Sequence, residues 1–198
     1  MAEVDQYYIN DGDGNFEFID ITKSHFKDEN GSPISHHLRD WGLMAQFRDI
    51  NNDTHPDIYI CNDFESPDRV WINNGDGTFN LIPKLALRHT SNSSMAVDFS
   101  DLNKDGEVDF FVTDMMSQSH ILQKTQMGTM APTPLGIGEI DNRPQYMHNT
   151  LFLNRGDQTF SEISQYSNTH ASEWSWGTIF MDVDLDGHED ILIATGHM

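Results

Sequence analysis

The sequence predicts an all-β fold made of repeated four-stranded units, and three observations carry that prediction. An Asp-rich phrase occurs three times, each time followed by an apolar run. A Gly-Asp turn leading to phenylalanine also occurs three times. The two phrases keep a fixed interval: 22 residues separate Phe79 from Asp101 and Phe160 from Asp182. Equal intervals flanking loops of different length describe one unit with insertions. A unit of roughly 40–60 residues with short strands reads as a blade of a β-propeller.

The elements follow in order. Residues 7–22 read as the outer half of a blade, with the Asp11-Gly12-Asp13-Gly14 turn closing a hairpin. Residues 41–83 read as a full blade. Trp41 to Phe47 is its first strand, and Ile58-Tyr59-Ile60-Cys61 its second. Arg69-Val70-Trp71-Ile72 and Thr78 to Ile82 are its third and fourth, joined by Asn-Gly-Asp-Gly. Asn-Gly and Asp-Gly supply the positive-φ residues that tight hairpins require. Residues 93–163 make another full blade with an insertion near 115–147, and residues 174–198 the inner half of the next. The second strands (Ile58 to Cys61, Val108 to Thr113, Ile191 to Ala194) are continuous apolar runs, as expected of strands buried on both faces. About three blade-equivalents fall short of the four to eight of a closed propeller, so the chain is expected to be a piece of a longer protein. Its open strand edges would otherwise invite aggregation.

The Asp-rich loops are candidate metal sites. They run Asp49, Asn51, Asp53, His55, Asp57; then Asp101, Asn103, Asp105, Glu107, Asp109; then Asp182, Asp184, Asp186, His188, Asp190. Side-chain oxygens at positions one, three, five and nine, with a backbone carbonyl at seven, can wrap one hard cation, and an all-oxygen set favours Ca²⁺ over zinc or copper. His55 and His188 stand at position seven, where the carbonyl rather than the imidazole is the expected ligand. Gly106 and Gly187 give the sharp turn at position six, whereas Thr54 is poorly suited to it. These are not EF-hands: position twelve is Ile60, Val112 or Ile193, not glutamate. Up to three Ca²⁺ ions are expected. The third loop, with four aspartates, should bind most tightly, since ligand charge tunes affinity. An isolated acidic turn would be the plainer reading of one such loop; three copies before apolar strands favour metal.

Composition narrows the function classes. Lys+Arg 11 against Asp+Glu 32 gives a formal charge of −21, which argues against a nucleic-acid binder or docking on an anionic membrane. No apolar run approaches the ~20 residues of a membrane span, and no charged-then-apolar leader is present. Cys61, the single cysteine, reads as a buried packing thiol. Trp41, Trp71, Trp174 and Trp176 read as core rather than a sugar platform, and the ten histidines as scattered surface residues. The Asp11 and Asp76 turns read as hairpins, not further metal loops. The Met- and Pro-containing insertion is the first candidate for a contact site, because binding residues concentrate on loops carried by rigid scaffolds.

At Trp41-Gly42, the three Asp loops, residues 73–79, residues 149–154 and Ala194-Thr195-Gly196-His197, the chain resembles the FG-GAP/VCBS repeat proteins. That group includes the integrin-α propeller and the ASPIC/UnbV and cartilage-acidic-protein-like chains. The resemblance covers most of the sequence except 23–40 and the insertion. It implies a Ca²⁺-stabilised propeller, usually exported to the cell surface, the periplasm or beyond, used for adhesion or ligand binding, here of a protein or glycan. Millimolar-range calcium affinity, typical of extracellular modules, points the same way. No nucleophile elbow, zinc-hydrolase helix or phosphate loop appears in the sequence, so no catalysis is expected. Thr54 in place of Gly and Gln158 in place of the second turn Gly depart from the pattern. The alternatives are a scaffold portion of a polysaccharide-active propeller enzyme and a purely structural spacer.

Overall fold

The computed structural model describes residues 2–22, 25–64, 66–126 and 143–196. It is a row of β-sheets standing face to face. The first hairpin pairs β1 (Tyr7–Asn10) with β2 (Phe16–Ile19) in antiparallel register, Tyr8 opposite Phe18. Next comes β3 (Phe26–Lys27), then β4 (Gly42–Arg48), β5 (Asp57–Asn62), β6 (Arg69–Asn73) and β7 (Phe79–Leu81). These five form one sheet in the order β3-β7-β6-β5-β4. The second large sheet holds β9 (Ala96–Ser100), β10 (Asp109–Thr113), β12 (Thr150–Asn154) and β13 (Phe160–Glu162), ordered β13-β12-β10-β9. A last antiparallel hairpin pairs β14 (Ser175–Met181) with β15 (Asp190–Thr195). Short elements fill the connections: β8 (Thr90–Ser91) pairs in parallel with β11 (Gln145–Tyr146), and α1 (His120–Gln126) and α2 (Ser164–Ser167) are single short helices.

Period-two alternation explains how the sheets stack, because successive side chains leave a strand on opposite faces. From β5 and β6, Tyr59, Cys61 and Val70 point one way and meet Val97, Phe99, Phe110, Val112 and Phe152 of the second sheet. Their neighbours Ile58 and Trp71 point the other way and pack with Ile21, Phe26 and Phe79. The second sheet divides likewise, turning Phe111 and Leu151 towards Phe180 of β14. A strand sandwiched between two interlayers must be apolar along its middle, as β5 is from Ile58 to Cys61 and β10 from Phe110 to Val112; the residues at their ends are buried polar groups. Two polar clasps reinforce the stack. Arg69 grips Asp40 through two 3.0 Å hydrogen bonds. The buried Arg143 donates to the carbonyls of Leu87 (3.1 Å) and Ile82 (3.0 Å).

Three expectations change. The first full sheet gains a fifth strand: β3, from the segment outside the repeats, adds in parallel to the outer edge of β7, Phe26 opposite Phe79. An outer edge covered in this way is closed to foreign strands. The third apolar run does not resemble the other two: in β15 Ile191 and Ile193 are half-buried against the second sheet, while Leu192 on the opposite face is 67% exposed. Only one side of its hairpin meets another sheet. Trp176, expected in the core, is exposed on β14 and donates Nε1 to the Gly196 carbonyl at 2.7 Å. Trp71 is core, as expected. The proposed contact loop falls largely on residues 127–142, outside the described residues.

Candidate metal centre

Each Asp-rich loop joins the first strand of a sheet to the second: β4 to β5, β9 to β10, β14 to β15. The backbone bonds at positions five to seven repeat in all three loops. The N–H at position five donates to the first carboxylate: Asp53 to Asp49 at 3.1 Å, Asp105 to Asp101 at 3.0 Å, Asp186 to Asp182 at 3.1 Å. The N–H at position six reaches the other oxygen of that carboxylate, from Thr54 (2.8 Å), Gly106 (2.9 Å) and Gly187 (2.8 Å). The N–H at position seven donates to the fifth residue's carboxylate at 2.8 Å in all three. The first and fifth carboxylates are thus ringed by backbone donors that fix their orientation.

Two left-handed residues shape each turn. Position four has φ near +60° at Asn52, Lys104 and Leu185, and position six has φ +74° at Thr54, +91° at Gly106 and +88° at Gly187. Thr54 therefore adopts the glycine conformation despite its branched Cβ, at a strain of roughly 1–2 kcal/mol. The residue that set the first loop apart in sequence does not alter its backbone course.

The ninth aspartate ties loop to sheet. Asp57 accepts the Ile50 N–H at 2.9 Å with one oxygen and the Asn73 N–H, on β6, at 2.8 Å with the other. Asp109 repeats this with Leu102 (3.0 Å) and Asn154 of β12 (2.8 Å). Both are buried. Burial pushes the Asp57 carboxyl up to about 6 and raises that of Asp109, against the two N–H donors and with the repulsion of the loop's other aspartates added. Among the described residues Asp190 accepts only the Val183 N–H, at 3.1 Å, and it is exposed.

The loops differ most at position three. Asn51 and Asn103 donate Nδ2 to the fifth-position carboxylate, at 3.0 and 2.8 Å, and so soften the local negative charge. Asp184 cannot do so. In the third loop Asp182, Asp184 and Asp190 bring carboxylate oxygens within 4.8 Å of one another, the one such acidic or His/Cys cluster among the described residues. Asp186 is not a member of that cluster. The donors in all three loops are oxygens, and three converging carboxylates fit a hard divalent cation of the Ca²⁺ kind, which would cancel their repulsion. The side chains at position seven face elsewhere where contacts define them. The His55 ring lies over Gly75, where a Cβ would sit 2.5 Å from its Nε2. The Glu107 carboxylate accepts Asn52 Nδ2 at 3.1 Å.

That last contact is one the sequence did not disclose: neighbouring loops touch. Asn52 Nδ2 also donates to the Gly106 carbonyl at 2.8 Å, joining the first loop to the second. Lys104 Nζ stands 3.3 Å from where Gly187 would carry a Cβ, joining the second to the third. Position four of one loop thus addresses position six of the next.

Two buried acids were also missed. Asp68 accepts Tyr59 Oη (2.7 Å), Ser94 Oγ (2.8 Å) and the Asn62 N–H (2.9 Å), and burial pushes it up to about 6. Asp114 accepts the Asn92 and Ser93 N–H groups at 3.0 and 3.1 Å and is pushed up to about 7 by burial, with the charge of Asp68 adding to it. Both fasten irregular chain to the ends of strands. The hairpin aspartates sit at the other extreme. Asp11, Asp76 and Asp157 are exposed and are held below the usual range by donors from Asn15, Thr78 and Thr159 respectively.

No helix among the described residues is long and apolar enough to cross a membrane. No curated protein matches the chain. Residues 49–112 and 137–193, which hold all three Asp-rich loops entire, match the family described as FG-GAP-like repeat. Sheets repeated around Asp-rich loops are what that family's blades require, and the chain belongs to the FG-GAP-like repeat family.

Proposed function

We propose that this chain is a calcium-stabilised, non-catalytic recognition module that works outside the cytoplasm. The convergence of Asp182, Asp184 and Asp190 carries the reading, and the same backbone bonds in the other two loops extend it to Asp49, Asn51, Asp53 and Asp57 and to Asp101, Asn103, Asp105 and Asp109. A hard cation there would supply positive charge and ligand bonds that hold each loop closed, so its binding energy adds to folding energy. The partner is a protein or glycan met by connections at the rims of the sheets, the insertion around 115–147 first among them. Stacked sheets offer a stiff frame on which such loops keep their shape.

Calorimetric titration with CaCl₂, with melting followed in Ca²⁺ and in EDTA, tests the metal half. Two or three sites and a higher melting temperature in Ca²⁺ are expected, with the third loop filling first. No heat and no shift would leave three acidic turns in a metal-free β-repeat. A glycan and protein array probed with and without residues 115–147 tests the recognition half: ligands lost with the insertion are expected, and binding by neither form would point to a spacer.

A further inference from the structure

The first and second Asp-rich loops are built into each other. Asn52, at position four of the first, donates Nδ2 to the Gly106 carbonyl at 2.8 Å and to the Glu107 carboxylate at 3.1 Å. The Glu107 N–H is itself engaged by the Asp105 carboxylate at 2.8 Å. The peptide that joins positions six and seven of the second loop is thus gripped at both ends, its carbonyl by the first loop and its N–H by a candidate ligand of its own. That peptide places the Glu107 carbonyl, the backbone oxygen expected at the ion. Asn52 in turn stands between Asn51 and Asp53, two side chains expected to converge on the first ion.

The two loops also share one buried strand residue. Asn154 donates Nδ2 to the carbonyl of Ile50 in the first loop (3.2 Å) and to that of Val108 in the second (3.3 Å), and its N–H holds Asp109 (2.8 Å). They are therefore supported together at their bases and touch at their tips. The third loop is joined differently. Lys104 Nζ stands 3.3 Å from where Gly187 would carry a Cβ, but Lys104 donates no hydrogen bond among the described residues.

We propose that the first and second loops take up Ca²⁺ as a coupled pair, with Asn52 as the relay, while the third loop fills on its own. The inference rests on the calcium reading given above. Ordering the first loop around an ion fixes Asn52, and Asn52 then holds the 106–107 peptide where it presents its neighbouring carbonyl. The second loop accordingly loses less conformational freedom when it closes, which is positive coupling without a change of shape. Coupling of this kind is reciprocal, so filling the second loop raises the affinity of the first by the same factor. The Lys104 ammonium is not such a relay. A charge on a flexible stem acts on the third loop whether or not its own loop is filled.

The test is a CaCl₂ titration of the EDTA-stripped chain by NMR, followed at the amides of Thr54, Gly106 and Gly187. Each of these N–H groups donates to the first carboxylate of its own loop, so the loops are read one by one. Thr54 and Gly106 should respond together, with a Hill coefficient above one, and Gly187 separately. N52G removes the relay, and glycine accepts the φ of +58° at that position. It should lower the affinity read at Gly106 about fivefold or more and leave Gly187 unmoved. D53A, which cripples the first loop, should lower the affinity at Gly106 by a similar factor in the wild type and leave it unchanged in N52G. Independent filling of the first two loops, or a Gly106 response indifferent to N52G, would overturn the proposal while calcium binding stands. No response at any of these amides would remove the calcium reading itself, and this inference with it.

Discussion

Asp109 and Asp190 hold the same place in their repeats, yet one is buried beneath a complete sheet and the other lies on the surface of a two-stranded hairpin. Asp109 accepts two backbone donors, from its own loop and from β12; among the described residues Asp190 accepts one, from its own loop. The difference arises from neighbours rather than from the loop, whose internal hydrogen bonds agree within 0.1 Å at positions five, six and seven. The ninth aspartate is therefore a structural post as well as a candidate ligand, and how much it supports depends on whether a third strand is present.

The largest effect should come from removing that post. Asp109→Ala strands two backbone N–H groups, one of them buried, and should cost roughly 2–5 kcal/mol in urea unfolding carried out in EDTA, where metal plays no part. Asp190→Ala should cost clearly less; equal losses would break the comparison. Next in size is calcium itself. Ca²⁺ at a hundredfold its dissociation constant should add about 2.7 kcal/mol per occupied site. Asp184→Asn, which gives the third loop the composition of the other two, should bring its affinity towards theirs in calorimetry.

The contrast between buried and surface acids also has a pH signature. Asp68 and Asp114 have folded-state values of about 6 and about 7, above the ordinary carboxylate value of 3.8. Their contribution to stability is thus fully present below that ordinary value and is lost as pH rises through about 6 to 7, by up to about 1.4 kcal/mol per pH unit for each group. Asp11, Asp76 and Asp157 act in the opposite sense: their stabilisation is present above the ordinary value and fades as acid protonates them. Urea midpoints between pH 4 and 8, in EDTA, should rise towards acid more steeply in the wild type than in Asp114→Asn.

Smaller effects sharpen the loop comparison. Thr54→Gly relieves a β-branched residue at φ +74° and should gain about 1 kcal/mol; a loss would mean that the Thr54 methyl or hydroxyl makes a contact of value. Asn52→Ala should cost about 0.5–1 kcal/mol by cutting the link to Gly106 and Glu107. A double-mutant cycle with Glu107→Ala should show coupling between loops that are otherwise separate.

What could be read from sequence was whatever is local and repeated. The runs at β5 and β10, the Gly-Asp hairpins and the Asp loops each announce themselves within about nine residues, and each lies where its pattern places it. What could not be read depends on distant partners. Leu192 reads like Phe111 in one dimension; only the number of neighbouring sheets separates them. Asp68 sits in a polar stretch that resembles a solvent-facing turn and Asp114 at the end of an apolar run, where a strand would be expected to meet solvent, and nothing local reveals that both are enclosed. The two-residue strand β3 carries no periodicity, and its pairing with β7 crosses some fifty residues. The link from Asn52 to Gly106 likewise joins copies of a motif that the sequence shows only one at a time.

Cys61 lies fully enclosed where the two large sheets meet, and burial, with the charge of Asp68, pushes its thiol well above the ordinary range. In the closed molecule it is neither exposed nor ionised, so an oxidising and a reducing medium should be the same to this fold. It is also a clock supplied by the chain. A thiol reagent can mark Cys61 only during the moments when the sheets part, and the marking rate counts those moments. Run with and without Ca²⁺, the same clock would tell whether ion binding at the first Asp-rich loop, at the far end of β5 from the thiol, sets how often the interlayer opens.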